Sequence, residues 1–176
     1  ANQTWGLSTM KKPIDPAASA LSAMACFSDG MSQLERAVDN LQMRTVVAGA
    51  ADLIFAMKGR LIISGVGKSG HVARKLAATF ASTGTPAYFV HAAEASHGDL
   101  GMIQSDDVLM LLSWSGETGE LADIIAYAAR FDVPIVAITG KAEGTLARRA
   151  QYPIVLPAAK EACPHNLAPT TSTLLQ

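Results

Sequence analysis

Val108-Leu-Met-Leu-Leu-Ser-Trp-Ser-Gly-Glu-Thr-Gly-Glu120 and the run Leu121 to Arg130 that follows it read as three things in succession. An apolar run of strand length comes first. A turn of Ser, Gly and Thr follows, and then an amphipathic helix. A strand that stops in such a turn offers hydroxyls and free backbone N–H groups, and the helix N-terminus adds positive potential. The turn is therefore a good place to hold a phosphate.

Outward from this stretch the pattern repeats. Leu61 to Ser64 reads as a buried strand, Gly65 to Gly70 as a turn, and His71 to Ser82 as a helix with Val72, Leu76 and Phe80 inward. Ala87 to Val90 reads as a second strand and Ala92 to Gly101 as a polar loop. Pro134 to Ile138 is a strand, Thr145 to Ala150 a short helix, and Tyr152 to Leu156 the fifth strand. Strands alternating with helices at this spacing predict an α/β fold with a doubly wound five-stranded parallel sheet. Before Arg60 the reading is helical: Ala17 to Phe27, then Met31 to Met57 with an apolar face of Leu34, Val38, Leu41, Val46 and Leu53. These N-terminal helices either form an oligomer surface or cover one sheet face. Ala1 to Thr9 shows no periodicity, and Met10-Lys11-Lys12 reads as a natural start, so appended sequence is expected before it. The expected division is an N-terminal segment over 1–16 and one domain over 17–176. Pro169-Thr-Thr-Ser172 resembles a helix start.

The totals exclude several classes. The 176 residues suit one domain with a full core, 49% being apolar and only 6% aromatic. Lys and Arg number 14 against 15 Asp and Glu, so a nucleic-acid partner has no electrostatic footprint. No apolar run approaches the roughly 20 residues that span a bilayer, and Ala1 to Pro16 holds no signal core. Cys26 and Cys163 form no disulfide framework and no zinc signature. They read as ordinary thiols of a reducing cytoplasm.

Chemically capable residues gather after the strands, where ligands of such sheets sit. Gly65-Val-Gly-Lys-Ser-Gly70 matches the dinucleotide pattern G-x-G-x-x-G, but the second strand ends at Val90-His91 without the acidic residue a ribose needs. A P-loop needs a glycine where Ile62 stands. The turn then suits another small anion, with Ser64, Gly65, Gly67 and Ser69 as candidate binding residues and Lys68 as a point charge. Ser113, Ser115 and Thr118 surround Gly116 with hydroxyls; the two serines share a face, Trp114 points the other way, and Thr118 is expected to cap the following helix. Glu120 and Glu161, from separate strand ends, can serve as acid and base if their surroundings move their pKa values apart. His91 and His97 can shuttle protons; with Glu94 and Asp99 they can instead be read as metal ligands, though the spacing is no recognised ligand pattern.

Ser113-Trp-Ser-Gly-Glu-Thr-x-Glu120 after a strand resembles the signature of sugar isomerase (SIS) domains. Gly65 to His71, Ala81-Ser-Thr-Gly-Thr-Pro86, Ala95-Ser-His-Gly-Asp-Leu-Gly-Met102, Lys160-Glu-Ala-Cys-Pro164 and Leu167-Ala-Pro-Thr170 together resemble the D-arabinose 5-phosphate isomerases of the bacterial Kdo pathway. The resemblance runs from about Lys58 to Leu174. It implies a flavodoxin-like sheet, a homotetramer with shared sites, and exchange of D-ribulose 5-phosphate and D-arabinose 5-phosphate through an enediol, with no cofactor and no catalytic metal. By motif position it implies Lys68, His97, Glu120 and Glu161 as catalytic, Ser113, Ser115, Gly116 and Thr118 as the phosphate loop, and Thr170 as a further substrate-binding residue. Either Glu161 or His97 moves the carbon proton. Members of that family usually carry a pair of CBS domains and a further catalytic histidine after this region; neither occurs in the 176 residues. A non-catalytic sugar-phosphate sensor is the alternative. The position of Trp114 is usually small or polar there, so altered packing is expected around it.

Overall fold

The computed structural model describes residues 15–176. The expectations for Ala1 to Thr9 and for Met10-Lys11-Lys12 lie outside the described residues. Five strands, β1 (Leu61–Gly65), β2 (Ala87–Phe89), β3 (Val108–Leu112), β4 (Ile135–Thr139) and β5 (Tyr152–Val155), form one sheet in the order β2-β1-β3-β4-β5. All neighbours are parallel, with Leu61 beside both Ala87 and Val108, Leu109 beside Ile135, and Val136 beside Tyr152. The strand order reverses between β1 and β3, and a crevice at the carboxyl ends of these two strands is the expected ligand position.

Alternation along the strands builds two cores, one on each face. Ile62, Leu109, Leu111, Ile135 and Ala137 face α4 (Ala92–Ser96), α5 (Ala122–Arg130) and α6 (Thr145–Arg149). Leu61, Ile63, Val108, Met110, Leu112, Val136 and Ile138 face α2 (Leu41–Ala56) and α3 (Gly67–Ser82). Because both faces are covered, β1, β3 and β4 are buried along their whole length and read as unbroken apolar runs rather than alternating ones. Among the described residues no helix is long and apolar enough to cross a membrane.

The helices differ from the expectation in their joints. The first, α1, runs unbroken over Pro16–Val38, started by Asp15, whose carboxylate accepts from Ala17 N and Ala18 N. Gly30 does not break it. That glycine is buried where α7 (Thr171–Leu175) crosses, and a Cβ there would lie 2.5 Å from Thr171 Cγ2. The real joint is Asp39-Asn40, with Asn40 capping α2 through Gln42 N. Of the two roles weighed for these helices, α2 does cover a sheet face: Ala50, Leu53 and Ile54 join the core beside β5. The segment Ala92 to Gly101, expected as loop, instead contains α4 and most of a short 3-10 turn, Asp99–Met102.

Candidate active site

Helix α3 begins at Gly67, four residues earlier than the apolar pattern suggests, because Gly65 and Gly70 let it start against the strand end. A Cβ on Gly70 would lie 2.8 Å from Gly65 O. No side chain caps α3, so Lys68 and Ser69 stand in its first turn with N–H groups open to an acceptor. Beyond β5 the chain crosses back over the strand ends, and its last helix packs on α1 and α3. Between these two pieces lies a cavity of about 370 Å³. Lys68, Ser69, Trp114, Glu161, Ser172 and Gln176 supply its wall, with Val66 and Ala159. Ser69 donates to Gln176 Oε1 at 2.8 Å. The cavity sits at the β1/β3 switch point.

Glu161 is fixed within this wall. Its Oε2 accepts from Thr170 Oγ1 at 2.5 Å, Thr170 N at 2.7 Å and Ser172 N at 3.4 Å. Burial pushes its pKa up, but the hydrogen bonds from Ser172 and Thr170 outweigh burial and hold it below the usual glutamate value. At neutral pH the group is a carboxylate facing a cavity that Lys68 also lines.

The serine turn after β3 is a second cluster. Ser113 Oγ lies 2.7 Å from Thr118 Oγ1 and 3.5 Å from Ser115 Oγ, and it accepts from Gly116 N. The two serines do share a side, and the indole of Trp114 leaves it for the cavity wall, as strand alternation requires. Thr118 corrects the capping expectation. It makes no side-chain cap bond, because its hydroxyl is engaged by Ser113 and the helix opens as a 3-10 turn, Gly119–Leu121. Glu117 fastens this turn to its neighbour, accepting from Thr145 N at 2.7 Å and Thr145 Oγ1 at 2.8 Å.

The structure thus brings Lys68, Ser69 and Glu161 to one cavity and Ser113, Ser115, Gly116 and Thr118 to one turn. Gly65 and Gly67 shape the turn from β1 into α3 without lining the cavity, and three further candidates fall elsewhere. Ser64 is fully buried with its hydroxyl unpartnered; alternation puts it on the sheet face opposite the cavity, so it does not line the site. Glu120 is exposed on the 3-10 turn, and His97 is exposed at the C-cap of α4. Their two elements pack together, but neither residue lines the cavity that holds Lys68 and Glu161. Thr170 is near, yet its hydroxyl is used twice inside the protein, accepting from Ala162 N and donating to Glu161, which leaves it no free donor for a phosphate. His91 accepts from Ala93 N as the cap of α4, and among the described residues no three His, Cys, Asp or Glu side chains gather as metal ligands. Sequence reasoning missed Asn166, Ser172 and Gln176 as wall residues. The hydroxyls of Thr170 and Ser172, spaced to meet one carboxylate at a helix start, were the available signal.

Residues 54–176 match the SIS domain family. Arabinose 5-phosphate isomerase KdsD of Shigella flexneri is 51% identical over 124 residues, which make up 70% of this chain and 38% of that protein. Arabinose 5-phosphate isomerase KpsF of Escherichia coli is 47% identical over 164 residues, 92% of this chain and 49% of that protein. The chain spans less than half the length of these curated relatives. A solved structure from Escherichia coli CFT073, in complex with arabinose 5-phosphate, superposes with a TM-score of 0.79 at 34% identity, covering 92% of this chain and 85% of that one. The strand order, the cavity at its switch point and a match over the whole sheet lead to one assignment: this chain belongs to the SIS domain family.

Proposed function

We propose that this chain carries the sugar-phosphate site of an aldose–ketose isomerase that interconverts D-ribulose 5-phosphate and D-arabinose 5-phosphate. The observation that carries the reading is the shared cavity of Lys68 and Glu161, a cation and an ionised carboxylate with no third titratable side chain on its wall. The 34% identical structure solved with arabinose 5-phosphate supports the substrate class.

The chemistry needs a base that takes a proton from one carbon of the open-chain sugar and returns it to the next, through a cis-enediol. Glu161 suits that role, being ionised and on the cavity wall; His97 lies outside this cavity and is the weaker choice. Lys68 balances the negative charge that develops on the enediolate oxygen. The serine turn, with Ser113, Ser115 and Thr118, takes the phosphate in this reading. The reaction so written moves protons only and calls for no redox cofactor. The same proposal includes residues 17–176 as one domain, a homotetramer supported by the exposed apolar residues of α1, a cytoplasmic setting supported by the free thiols Cys26 and Cys163, and a role in supplying Kdo biosynthesis.

Incubation with D-ribulose 5-phosphate and assay for D-arabinose 5-phosphate tests it. Product should form, and Lys68→Ala should lower turnover by about tenfold to a thousandfold. Turnover unchanged within about twofold would remove Lys68 from the mechanism. Tight binding of the sugar phosphate without any product would favour a regulatory domain instead.

A further inference from the structure

Helix α7 begins at Thr170-Thr171 and closes one side of the cavity. The residue just before it, Thr170, is spent on two neighbours, eight and nine positions back. Thr170 Oγ1 accepts a hydrogen bond from Ala162 N at 2.8 Å. A hydroxyl that accepts from a fixed backbone N–H has its own proton aimed elsewhere, and here it points at Glu161 Oε2, 2.5 Å away. Thr170 N adds a second bond to the same oxygen at 2.7 Å, and Ser172 N a longer third. Glu161 Oε1 has no hydrogen-bond partner among the described residues. The two oxygens of one carboxylate are therefore unequal: one is saturated by the protein, the other is left for what enters the cavity.

From this geometry we infer that Thr170 is a positioning residue, whose hydroxyl locks Glu161 with Oε2 held by the protein and Oε1 presented to substrate. This rests on the reading of Glu161 as the base. The lock has two consequences. It removes the rotational freedom that would let the carboxylate turn its reactive oxygen away. It also favours the charged form, so that the base is ready at neutral pH. The titratable side chain facing Glu161 across the cavity is Lys68 on α3. Its own loop adds Lys160, Cys163 and His165, and α7 adds none. No ion pair involving Glu161 occurs among the described residues, so hydrogen bonds rather than a salt bridge set its state.

The test follows the Glu161 carboxyl carbon by NMR titration, assigned with Glu161→Gln, in the parent chain, Thr170→Val and Thr170→Ser. Valine keeps the shape and removes the hydroxyl; serine keeps the hydroxyl. Thr170→Val should raise the apparent pKa of Glu161 by about one unit, the worth of one hydrogen bond to a charged group. Thr170→Ser should titrate like the parent. Where turnover is measured, Thr170→Val should lower kcat by about tenfold to a hundredfold and move the acid limb of kcat/KM to higher pH, with KM changed less. Serine should restore both. A valine variant that titrates as the parent, or a serine variant shifted as far as valine, would overturn the inference; Thr170→Ala stands in should valine disturb folding. If the parent chain isomerises nothing, the functional reading fails while the titration still decides what Thr170 does to the carboxylate.

Discussion

Trp114 sits between two serines that turn together, and its indole goes the other way. The site there is shaped by a glycine. The indole lies over Gly140, in the turn after β4, where an added Cβ would fall 2.9 Å from Cε2 and 3.0 Å from Cδ2. The same turn holds the backbone, Gly140 N donating to Trp114 O at 3.0 Å. Side chain and main chain are thus set by one neighbour, and the ring, packed against the core on the α3 side of the sheet, also forms the cavity wall beside Lys68 and Ser69. Gly140→Ala has no room unless the ring moves. Overpacking of this kind costs about 1–3 kcal/mol, which chemical denaturation would read. The ring's way out leads toward the cavity, so KM for the sugar phosphate should rise as well. A Gly140→Ala protein with the stability and KM of its parent would show that this contact does not set the indole's place.

Between elements, the main polar tie lies at the opposite end of the strands from the site. Asp107, immediately before β3, is 1% exposed and accepts from Arg60 N, Arg60 Nε and Arg60 Nη2 at 2.7, 3.2 and 2.9 Å, and from Gln104 N at 2.9 Å. Arg60 precedes β1, so the pair joins the adjacent strands β1 and β3 at their entry. Burial pushes the Asp107 pKa up, but the bonds from Arg60 and Gln104 outweigh it and hold the group below its ordinary value. A depressed carboxylate contributes its stability above its unfolded pKa and loses it as pH falls through the folded one. Asp107→Ala should therefore cost about 1–3 kcal/mol near neutrality, the worth of lost hydrogen bonds to a charged group whose partner Arg60 still reaches solvent, and the gap between parent and variant should narrow below about pH 4. KM should stay as it was, because the cavity is at the other strand ends; a raised KM would show that the two ends are coupled. Strands such as β3 were legible to the residue, since a five-residue apolar run between polar turns has one plausible reading. Gly30 was not, because its tolerance in α1 comes from α7 packing on it, a contact no local pattern contains. The site divides in the same way. Lys68 and Glu161 announce themselves by following strands, whereas Thr170 reads as one more hydroxyl until its bond to Glu161 is seen. Ser64 looks like a site residue because it stands near a strand end, yet strand alternation points its hydroxyl away from the cavity.

At the scale of the molecule one exposed apolar stripe runs along α1. Leu21, Met24, Met31 and Val38 are 68%, 65%, 47% and 47% exposed, spaced by three and seven residues along one stripe with Ser28 and Glu35 between them. That is the seam spacing of helices that pair, and the opposite side of α1 already packs on α7 through Gly30. A second copy of this chain suits the stripe because it is self-complementary about its centre. An antiparallel copy turned about a two-fold between Asp29 and Gly30 would set Leu21 against Val38 and Ser28 against Met31, the same patch serving both sides. This is the kind of contact the proposed homotetramer needs. Met24→Glu combined with Met31→Glu puts two charges of one sign from each copy into that seam without replacing Gly30, the residue of α1 that packs on Thr171. In sedimentation at matched concentration the parent should run as an oligomer and the double variant as a smaller species, with an unaltered circular dichroism spectrum to show that α1 still forms. The effect should also reach the site, because α1 presses on Thr171, the neighbour of the threonine that holds Glu161; loss of the seam should loosen that contact and weaken sugar-phosphate binding. A parent that sediments as a monomer, or a double variant that keeps the parent's size, would mean that this stripe is not where the copies meet.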